Sequence, residues 1–286
     1  MKVLRNTPPV YAGSTGLALG YDRGMTWLWS PLDWYRKASE GSALCGWVGL
    51  LTLAMLALAL VGMLVDQRQI LGINAWTKPI KFLISSVLYL WTFGWLLTLV
   101  EVPQPSKEWA GGIAAAMIFF ENIAISGQAL RGVRSHYNTT TAFNGMVFGV
   151  MGLMIVINTL VICLVLWWFF TNARPLPAAA LWGCRLGLFL AVLASLEGGY
   201  MAQYGSHAVG VRDGGPGLPF LNWSKEAGDL RISHFIGLHG MQVLPWAGFL
   251  LGDIGAGAGI WVVALFHYGA FLLTFLQAVA RKPLFF

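Results

Sequence analysis

Charged side chains are scarce in this sequence. Only 10% of its 286 residues are Asp, Glu, Lys or Arg, whereas 57% are hydrophobic. Soluble globular domains carry roughly 25% charged residues, so the composition excludes an ordinary soluble domain. The basic residues are scattered among hydrophobic segments and form no patch, which argues against a nucleic-acid partner. The composition therefore predicts an integral membrane protein whose main partner is the lipid bilayer.

Cysteine is equally rare. The chain has three, at Cys45, Cys163 and Cys184, and each lies inside an apolar run. None of the spacings is CxxC, so we expect buried free thiols. An internal repeat is also missing, and with it the inverted-repeat signature of many transporters.

Long hydrophobic runs, in contrast, are abundant. Seven segments are each long enough to cross a hydrocarbon core of ~30 Å, and fourteen tryptophans fit the two membrane interfaces. The sequence therefore predicts an all-α integral membrane protein, a seven-transmembrane-helix bundle within residues 43–286. The predicted spans are 43–65, 80–100, 109–130, 142–170, 178–204, 232–251 and 260–280.

Residues 1–42 precede the bundle and are predicted to form an N-terminal interfacial segment. Between Met25 and Lys37, Trp27, Leu28 and Tyr35 fall on one face at helical spacing. This pattern predicts a short helix lying in the plane of the interface. A tryptophan-rich loop packed on the bundle is an equally good interpretation.

The fifth and sixth segments are joined by the longest polar connector of the bundle, residues 205–231. With its flanks it holds three of the five histidines and a turn sequence, DGGPGLP, that begins at Asp213. At least one of Gly214, Gly215 and Gly217 should need a positive φ. We predict an ordered loop that caps one side of the bundle. This side, called side B here, also carries the connectors after the first and third segments and the C-terminus.

Glu121, Glu197 and His239 lie in three different predicted helices, each about eight residues from side B. At 1.5 Å per residue they share a depth of ~12 Å. Ionisable residues are costly inside a membrane, and function is their default interpretation. We therefore predict that all three converge on one cavity as acid–base groups or metal ligands. Nearer the mouth or around it, the residues predicted to contact a cofactor or ligand are His136, His207, His234, His267, Arg131, Arg134 and Arg231.

Each of these residues also has an ordinary structural interpretation. A membrane glutamate such as Glu121 or Glu197 can be protonated or bonded to a neighbour, and His267 can be a satisfied core residue. Asp213 can simply stabilise its own turn, and Asp229 can cap the sixth span. Arg185 can reach side A or pair with Asp253.

Three functions remain open on this pattern. Histidine with carboxylate suits zinc or iron, and an axial histidine with nearby arginines suits haem b. The leading hypothesis is thus a metal- or haem-binding membrane protein with redox or hydrolytic chemistry. The first alternative is a transporter or sensor that binds a small anionic or lipidic ligand, attracted by a basic mouth that includes Lys78 and Lys81. The second is an accessory subunit whose polar layer only holds helices together.

Several motifs of the chain are distinctive. They are NAWTKPIKF from Asn74, SHYN from Ser135, and Ser206–His207 followed by DGGPGLP, NWS, GDLR and HFIGLHGMQVLP. Together they resemble an uncharacterised group of bacterial multi-pass membrane proteins with no assigned activity. The resemblance implies a bacterial inner-membrane location and no particular chemistry. Rhodopsins do not match, because the last predicted span lacks their retinal-binding lysine, and the histidine boxes of membrane desaturases are absent.

Overall fold

The computed structural model describes residues 30–284, and these residues form a helical bundle. Seven of the described helices are long and apolar enough to cross a membrane, which confirms the predicted seven-helix fold. The helices are α1 (Pro31–Gly41), α2 (Ala43–Val65), α3 (Thr77–Thr98), α4 (Gln104–Leu130), α5 (Ala142–Thr171), α6 (Ala178–Tyr204), α7 (Leu230–Asp253) and α8 (Gly259–Val279). Two short hairpins join them, β1 (Gln69–Ile70) with β2 (Ile73–Asn74) and β3 (Ala208–Val209) with β4 (Gly228–Asp229).

The outer surface of the bundle is apolar. Large side chains such as Leu58, Leu64, Leu265 and Phe266 are at least 70% exposed, and all four lie on α2 or α8. In water such surfaces would be unfavourable, whereas in a bilayer they face hydrocarbon. The described chain is therefore a multi-pass membrane protein in contact with lipid.

The helices fall into two groups. Around α3, the most buried helix, pack α1, α2 and α4, while α6, α7 and α8 pack on one another; α5 lies between α4 and α6. Small residues permit the closest approach: a Cβ on Gly183 of α6 would lie 2.4 Å from the Leu244 carbonyl oxygen of α7. The two groups meet along α3 and α7, whose backbones stay apart and whose large side chains, such as Trp95 and Phe249, pack together.

The helix predicted near the N-terminus is present as α1. It begins at Pro31, and Ser30 accepts a hydrogen bond from the Asp33 amide at 3.4 Å. Ala38 is fully buried against α3, where a Cβ on Gly94 would lie 2.5 Å from the Ala38 carbonyl oxygen. Residues 31–41 are thus helical and docked on the domain, whereas the part of the prediction that rests on residues 25–29 lies outside the described residues.

The polar connectors gather at side B. The 205–229 loop packs on the C-terminal end of α8, where a Cβ on Gly228 would lie 2.0 Å from the Ala278 carbonyl oxygen. Gly210 likewise packs against the Arg281 side chain. The long loop and the C-terminal end of α8 therefore share one side, as predicted. Within the loop Gly214 has φ +99°, which confirms that the turn needs a glycine.

Candidate functional site

A cavity of about 120 Å³ opens at side B. Its walls come from the β1–β2 hairpin, the first turns of α3, the connector after α4, the long loop and the first turn of α7. Because these parts are far apart in the chain, the cavity exists only in the assembled bundle. Its polar and ionisable lining residues are Asn74, Lys78, Lys81, Arg134, Ser135, His136, Tyr137, His207, Asp213, Asn222 and Arg231.

The lining carries an excess of positive charge. Four cations, Lys78, Lys81, Arg134 and Arg231, line the cavity with a single carboxylate, Asp213. With the histidines neutral, cations therefore outnumber carboxylates in the lining even after Asp229, which lies behind it, is set against Arg231. Low-dielectric walls concentrate such a field inside a cleft and attract anions into it.

Two of the four cations are already partnered. Arg231 donates from Nε to Asp229 Oδ1 at 2.9 Å and from a terminal nitrogen to Asp229 Oδ2 at 2.6 Å. Lys81 Nζ donates to the carbonyl oxygen of Leu221 at 2.9 Å. Arg231 also donates to the Asn222 carbonyl, so Lys81 and Arg231 both hold the 221–222 part of the long loop against the bundle.

The other two cations have no such partner. Among residues 30–284 no carboxylate lies within 4.0 Å of Lys78 Nζ or of the Arg134 guanidinium. Lys78 lies on the first turn of a membrane helix, and its ammonium is 5.5 Å from the centre of the Phe82 ring. A half-buried cation without a counter-charge is unfavourable. Binding of an anion in the cavity would therefore be electrostatically favourable.

His207 sits at the base of the long loop beside two carboxylates. Its Nδ1 lies 3.3 Å from Asp213 Oδ1 and 4.0 Å from Asp229 Oδ1. Burial, assisted by the charge of Arg231, lowers the pKa of His207 to about 4 against the opposing effect of the two carboxylates. His207 is therefore neutral at pH 7 and adds no charge to the cavity.

The two aspartates have structural partners of their own. Asp213 accepts hydrogen bonds from Ser206 Oγ at 2.6 Å and from the Ala208 amide at 3.0 Å, so it does stabilise its turn. Asp229 accepts from the Arg231 amide and caps α7, as expected. Burial by itself raises the pKa of Asp229, but the Arg231 hydrogen bonds and charge hold it below its usual value.

His136 lines the opposite wall. Ser135 Oγ lies 3.1 Å from His136 Nδ1, and Glu121 Oε1 lies 3.7 Å from His136 Nε2. Burial and the nearby charge of Lys78 hold the pKa of His136 well below its usual range. Glu121 is only 4% exposed, and its second oxygen has no hydrogen-bond partner among the described residues. An ionisable layer thus continues from the cavity wall into the bundle.

The three residues predicted to share one depth, Glu121, Glu197 and His239, do not form one ligand set. Glu197 accepts a hydrogen bond from Ser233 between α6 and α7. His239 lies instead on the α3 side of α7, with Nε2 3.3 Å from Ser85 Oγ and its ring centre 4.4 Å from that of Phe235. Glu121 contacts His136, and none of the three lines the cavity. Within residues 30–284 no three His, Cys, Asp or Glu side chains are close enough to hold a metal ion, so the geometry does not support a Glu121–Glu197–His239 metal site.

The remaining predicted residues divide into two sets. His136, His207, Arg134 and Arg231 line the cavity. The other three bond to neighbouring protein groups and lie outside its lining. His234 Nδ1 donates to the Ala194 carbonyl at 2.8 Å, His267 Nε2 donates to the Ile236 carbonyl at 2.8 Å, and Arg131 donates to Asn144 Oδ1 at 2.8 Å. Arg185, another interior cation, donates to the Phe169 carbonyl.

Sequence reasoning missed several residues of the cavity wall. Leu71, Tyr137 and Asn222 all line it, and each has a positive φ, at 53°, 54° and 55°. Asparagine adopts this conformation readily, whereas leucine and tyrosine adopt it rarely. Such backbone persists only where the surroundings enforce it, and it clusters at functional sites. Nothing in the sequence signals it at Leu71 or Tyr137.

Comparisons with protein families, with curated proteins and with solved structures found no match for this chain. The fold alone does not determine a function. The charge and shape of the side-B cavity are therefore the basis for assigning one.

Proposed function

We propose that this membrane protein binds a small anionic ligand in the side-B cavity and acts as a transporter or sensor of that ligand. The ligand carries a carboxylate or a phosphate, either free or as the headgroup of a lipid. The observation that carries the proposal is the pair of cavity-lining cations, Lys78 and Arg134, that have no carboxylate partner among the described residues. A bound anion would supply the missing counter-charge to both.

The four cations offer two kinds of contact. Arg134 has a planar guanidinium that can donate two parallel hydrogen bonds to a carboxylate or phosphate. Lys78 and Lys81 add compact positive charges from α3. The neutral histidines His136 and His207 can each donate or accept one further hydrogen bond. This combination recognises an oxyanion without requiring a metal.

The size of the cavity also favours a small group. At about 120 Å³ it is well below the ~300–1,000 Å³ of pockets for drug-sized ligands. A phosphate or a short carboxylate fits that volume, and so does a headgroup whose acyl chains remain outside.

A metal or haem function has weaker support. The predicted ligands Glu121, Glu197 and His239 lie in separate surroundings, and the described residues bring no three donors together. The cavity histidines His136 and His207 are already in contact with carboxylates.

Motif resemblance supports a bacterial inner-membrane location, which we adopt as part of the proposal.

Binding can be measured on the full-length protein in nanodiscs. Inorganic phosphate and succinate serve as soluble probes, and nanodiscs of phosphatidylglycerol or phosphatidylcholine distinguish a headgroup from a free anion. We expect Kd to rise about tenfold to a hundredfold in Lys78→Gln or Arg134→Gln, since a charged hydrogen bond contributes about 1.5–3 kcal/mol. Arg212→Gln is the matched control, because Arg212 is exposed and does not line the cavity.

Two readouts make the test decisive. Without ligand, Lys78→Gln should leave thermal stability unchanged or raise it, because an unpaired cation has been removed. With ligand, that variant should lose the stabilisation seen in the wild type. Equal affinities in the wild type, both cavity variants and the control would overturn the proposal, as would failure of the wild type to bind either probe or to prefer the anionic lipid.

A further inference from the structure

Beneath the cavity, the boundary between the two helix groups contains polar groups. Phe82 and Ile125 line the lower part of the cavity. Three or four residues further along their helices lie Ser85 and Ser86 of α3 and Asn122 of α4. Ser86 Oγ donates to Asn122 Oδ1 at 3.2 Å, and Ser85 Oγ lies 3.3 Å from His239 Nε2. One apolar layer therefore separates the cavity from a polar layer shared by α3, α4 and α7.

The polar groups continue towards side A, the face opposite side B. On α7, Gln242 and Trp246 follow His239 at helical spacing on the same face, and on α3, Thr92 follows Ser85 after two turns. The Trp246 ring packs against Trp34 of α1, with ring centres 5.5 Å apart. We call the boundary lined by these residues the α3–α7 seam.

These groups lack the hydrogen bonds that buried polar atoms normally make. Among the described residues, no partner of acceptable geometry is found for Thr92 Oγ1, Gln242 Oε1, or the indole nitrogens of Trp246 and Trp34. Thr92 is 0% exposed and Gln242 is 7% exposed. A buried threonine on a helix usually donates to the carbonyl one turn back, as Thr52 does at 2.7 Å. Four unsatisfied groups in one line require an explanation.

Packing along the seam differs from the rest of the bundle. The α6–α7 contact is close and glycine-lined, whereas the α3 and α7 backbones stay further apart and large side chains fill the space between them, such as Trp95 and Phe249 with ring centres 5.4 Å apart. Water enters protein interiors where buried polar groups lack protein partners and can each offer it a hydrogen bond. The rise along α3 is about 10 Å between Ser85 and Thr92 and about 21 Å between Lys78 and Thr92. The second distance is most of the thickness of a hydrocarbon core.

We propose that the α3–α7 seam is a proton path across the membrane, in which a file of water molecules links the cavity to side A through His239. The step is a simple relay. A water on the cavity side passes a proton to Ser85 Oγ while Ser85 passes its own to one imidazole nitrogen of His239, so the hydroxyl stays intact. The proton on the other nitrogen then moves to a water held by Gln242. The imidazole returns to its starting charge in the other tautomer, and rotation of the ring resets it for the next proton. Thr92, Trp246 and Trp34 would hold the waters that carry the proton onwards.

This inference goes beyond anion binding and does not depend on it. It assigns the buried His239 a role as a proton carrier, although that residue lies outside the cavity. Phe82 and Ile125 lie between the cavity and this path, so movement of these side chains would control access. A sensor has no need for such a path, whereas a proton-coupled transporter does.

Proton flux can be measured on the full chain in proteoliposomes. Pyranine inside reports acidification, and valinomycin with a potassium gradient sets an inside-negative potential. The outer buffer contains no added anion, inorganic phosphate or succinate in three separate runs. We expect influx above the rate of protein-free vesicles in at least one run, and loss of that influx in His239→Gln and Thr92→Val. Thr159→Val is the matched control, because the Thr159 hydroxyl donates to Ile155 on α5 and lies outside the seam.

Stability supplies an independent readout. If the seam is dry, Thr92→Val removes an unsatisfied hydroxyl and should raise the Tm above that of the wild type. If the seam holds water, the variant loses a bonded hydroxyl, and the Tm should fall or stay level. Wild-type influx no faster than protein-free vesicles in all three runs, or unchanged influx in both seam variants, would overturn the proposal. Neither of these two results would bear on anion binding, because the phosphate and succinate affinities of the cavity are measured in a different experiment.

Discussion

Replacing His207 with glutamine should reduce the acid sensitivity of the fold. His207 is buried at the base of the long loop, and its pKa in the folded protein is about 4, against 6.5 for a free side chain. Between these two pH values the unfolded chain binds a proton that the folded protein does not bind. Stability therefore falls as the pH decreases from about 6.5 to about 4, and above 6.5 the effect is absent.

The magnitude follows from the size of the pKa shift. A difference of about 2.5 units, at 1.36 kcal/mol per unit, corresponds to roughly 3 kcal/mol lost across the window. With about 2–4 °C per kcal/mol for a chain of this size, the wild-type Tm should drop by roughly 6–12 °C more than that of His207→Gln. Glutamine keeps a polar side chain of similar size that does not titrate.

Thermal unfolding of both proteins in nanodiscs, followed from pH 7.5 to pH 4, measures this difference. The other four histidines are present in both proteins, so the comparison isolates the replacement of His207 and its effect on its neighbours. Parallel Tm curves across the whole range would refute the reasoning, because they would mean that His207 is protonated as easily in the folded protein as in the unfolded chain. A steeper curve in the variant would refute it as well.

Two further predictions concern how the long loop is attached. Asp229→Asn leaves the guanidinium of Arg231 unpaired beside other cations and should lower the free energy of unfolding by about 3–5 kcal/mol. Asp33→Asn, the control in an exposed ion pair, should lower it by less than about 1 kcal/mol. Equal losses in the two variants would show that the Asp229–Arg231 pair is not important for stability. Gly228→Ala places a methyl group 2.0 Å from a carbonyl oxygen of α8, so it should lower the Tm or the folded yield, whereas Gly149→Ala, with open space around it, should be neutral or slightly stabilising. An unchanged Tm in Gly228→Ala would mean that the loop does not pack on α8.

Helix positions were well predicted from the sequence, because hydropathy alone determines them. The spans α2 and α6 match the predicted 43–65 and 178–204. The remaining spans differ by a few residues at their ends, where polar residues extend the helix into the interface. In α3, for example, Thr77 and Lys78 precede the predicted start at Ile80, since helical backbone tolerates polar side chains at that depth.

The site was predicted less completely. Depth and sidedness come from residue counts, and they placed His136, His207, Arg134 and Arg231 on one side of the bundle, where all four line the cavity. The neighbour that a polar face of a helix meets depends on how the helices pack, and the sequence of one helix does not determine this. Glu197, which was predicted to face the shared cavity, instead bonds to Ser233 of α7. The positive φ of Leu71 and Tyr137 was equally hidden, since only the assembled loops impose it.

The two helix groups also bear on how the chain is made. Helices α1 to α4 can associate around α3 before α6, α7 and α8 have been synthesised, and the last three can then pack on one another. The connector 172–177 joins α5 to α6, and its first residues pair with the turn before α4: the Glu101 amide donates to the Asn172 carbonyl, and the Arg174 amide donates to the Leu99 carbonyl. A break in the chain after this anchor would leave two fragments, each with its own internal helix contacts. We therefore expect two co-expressed fragments, split after this anchor, to reassemble through the buried side chains that α3 and α7 share, such as Trp95 and Phe249.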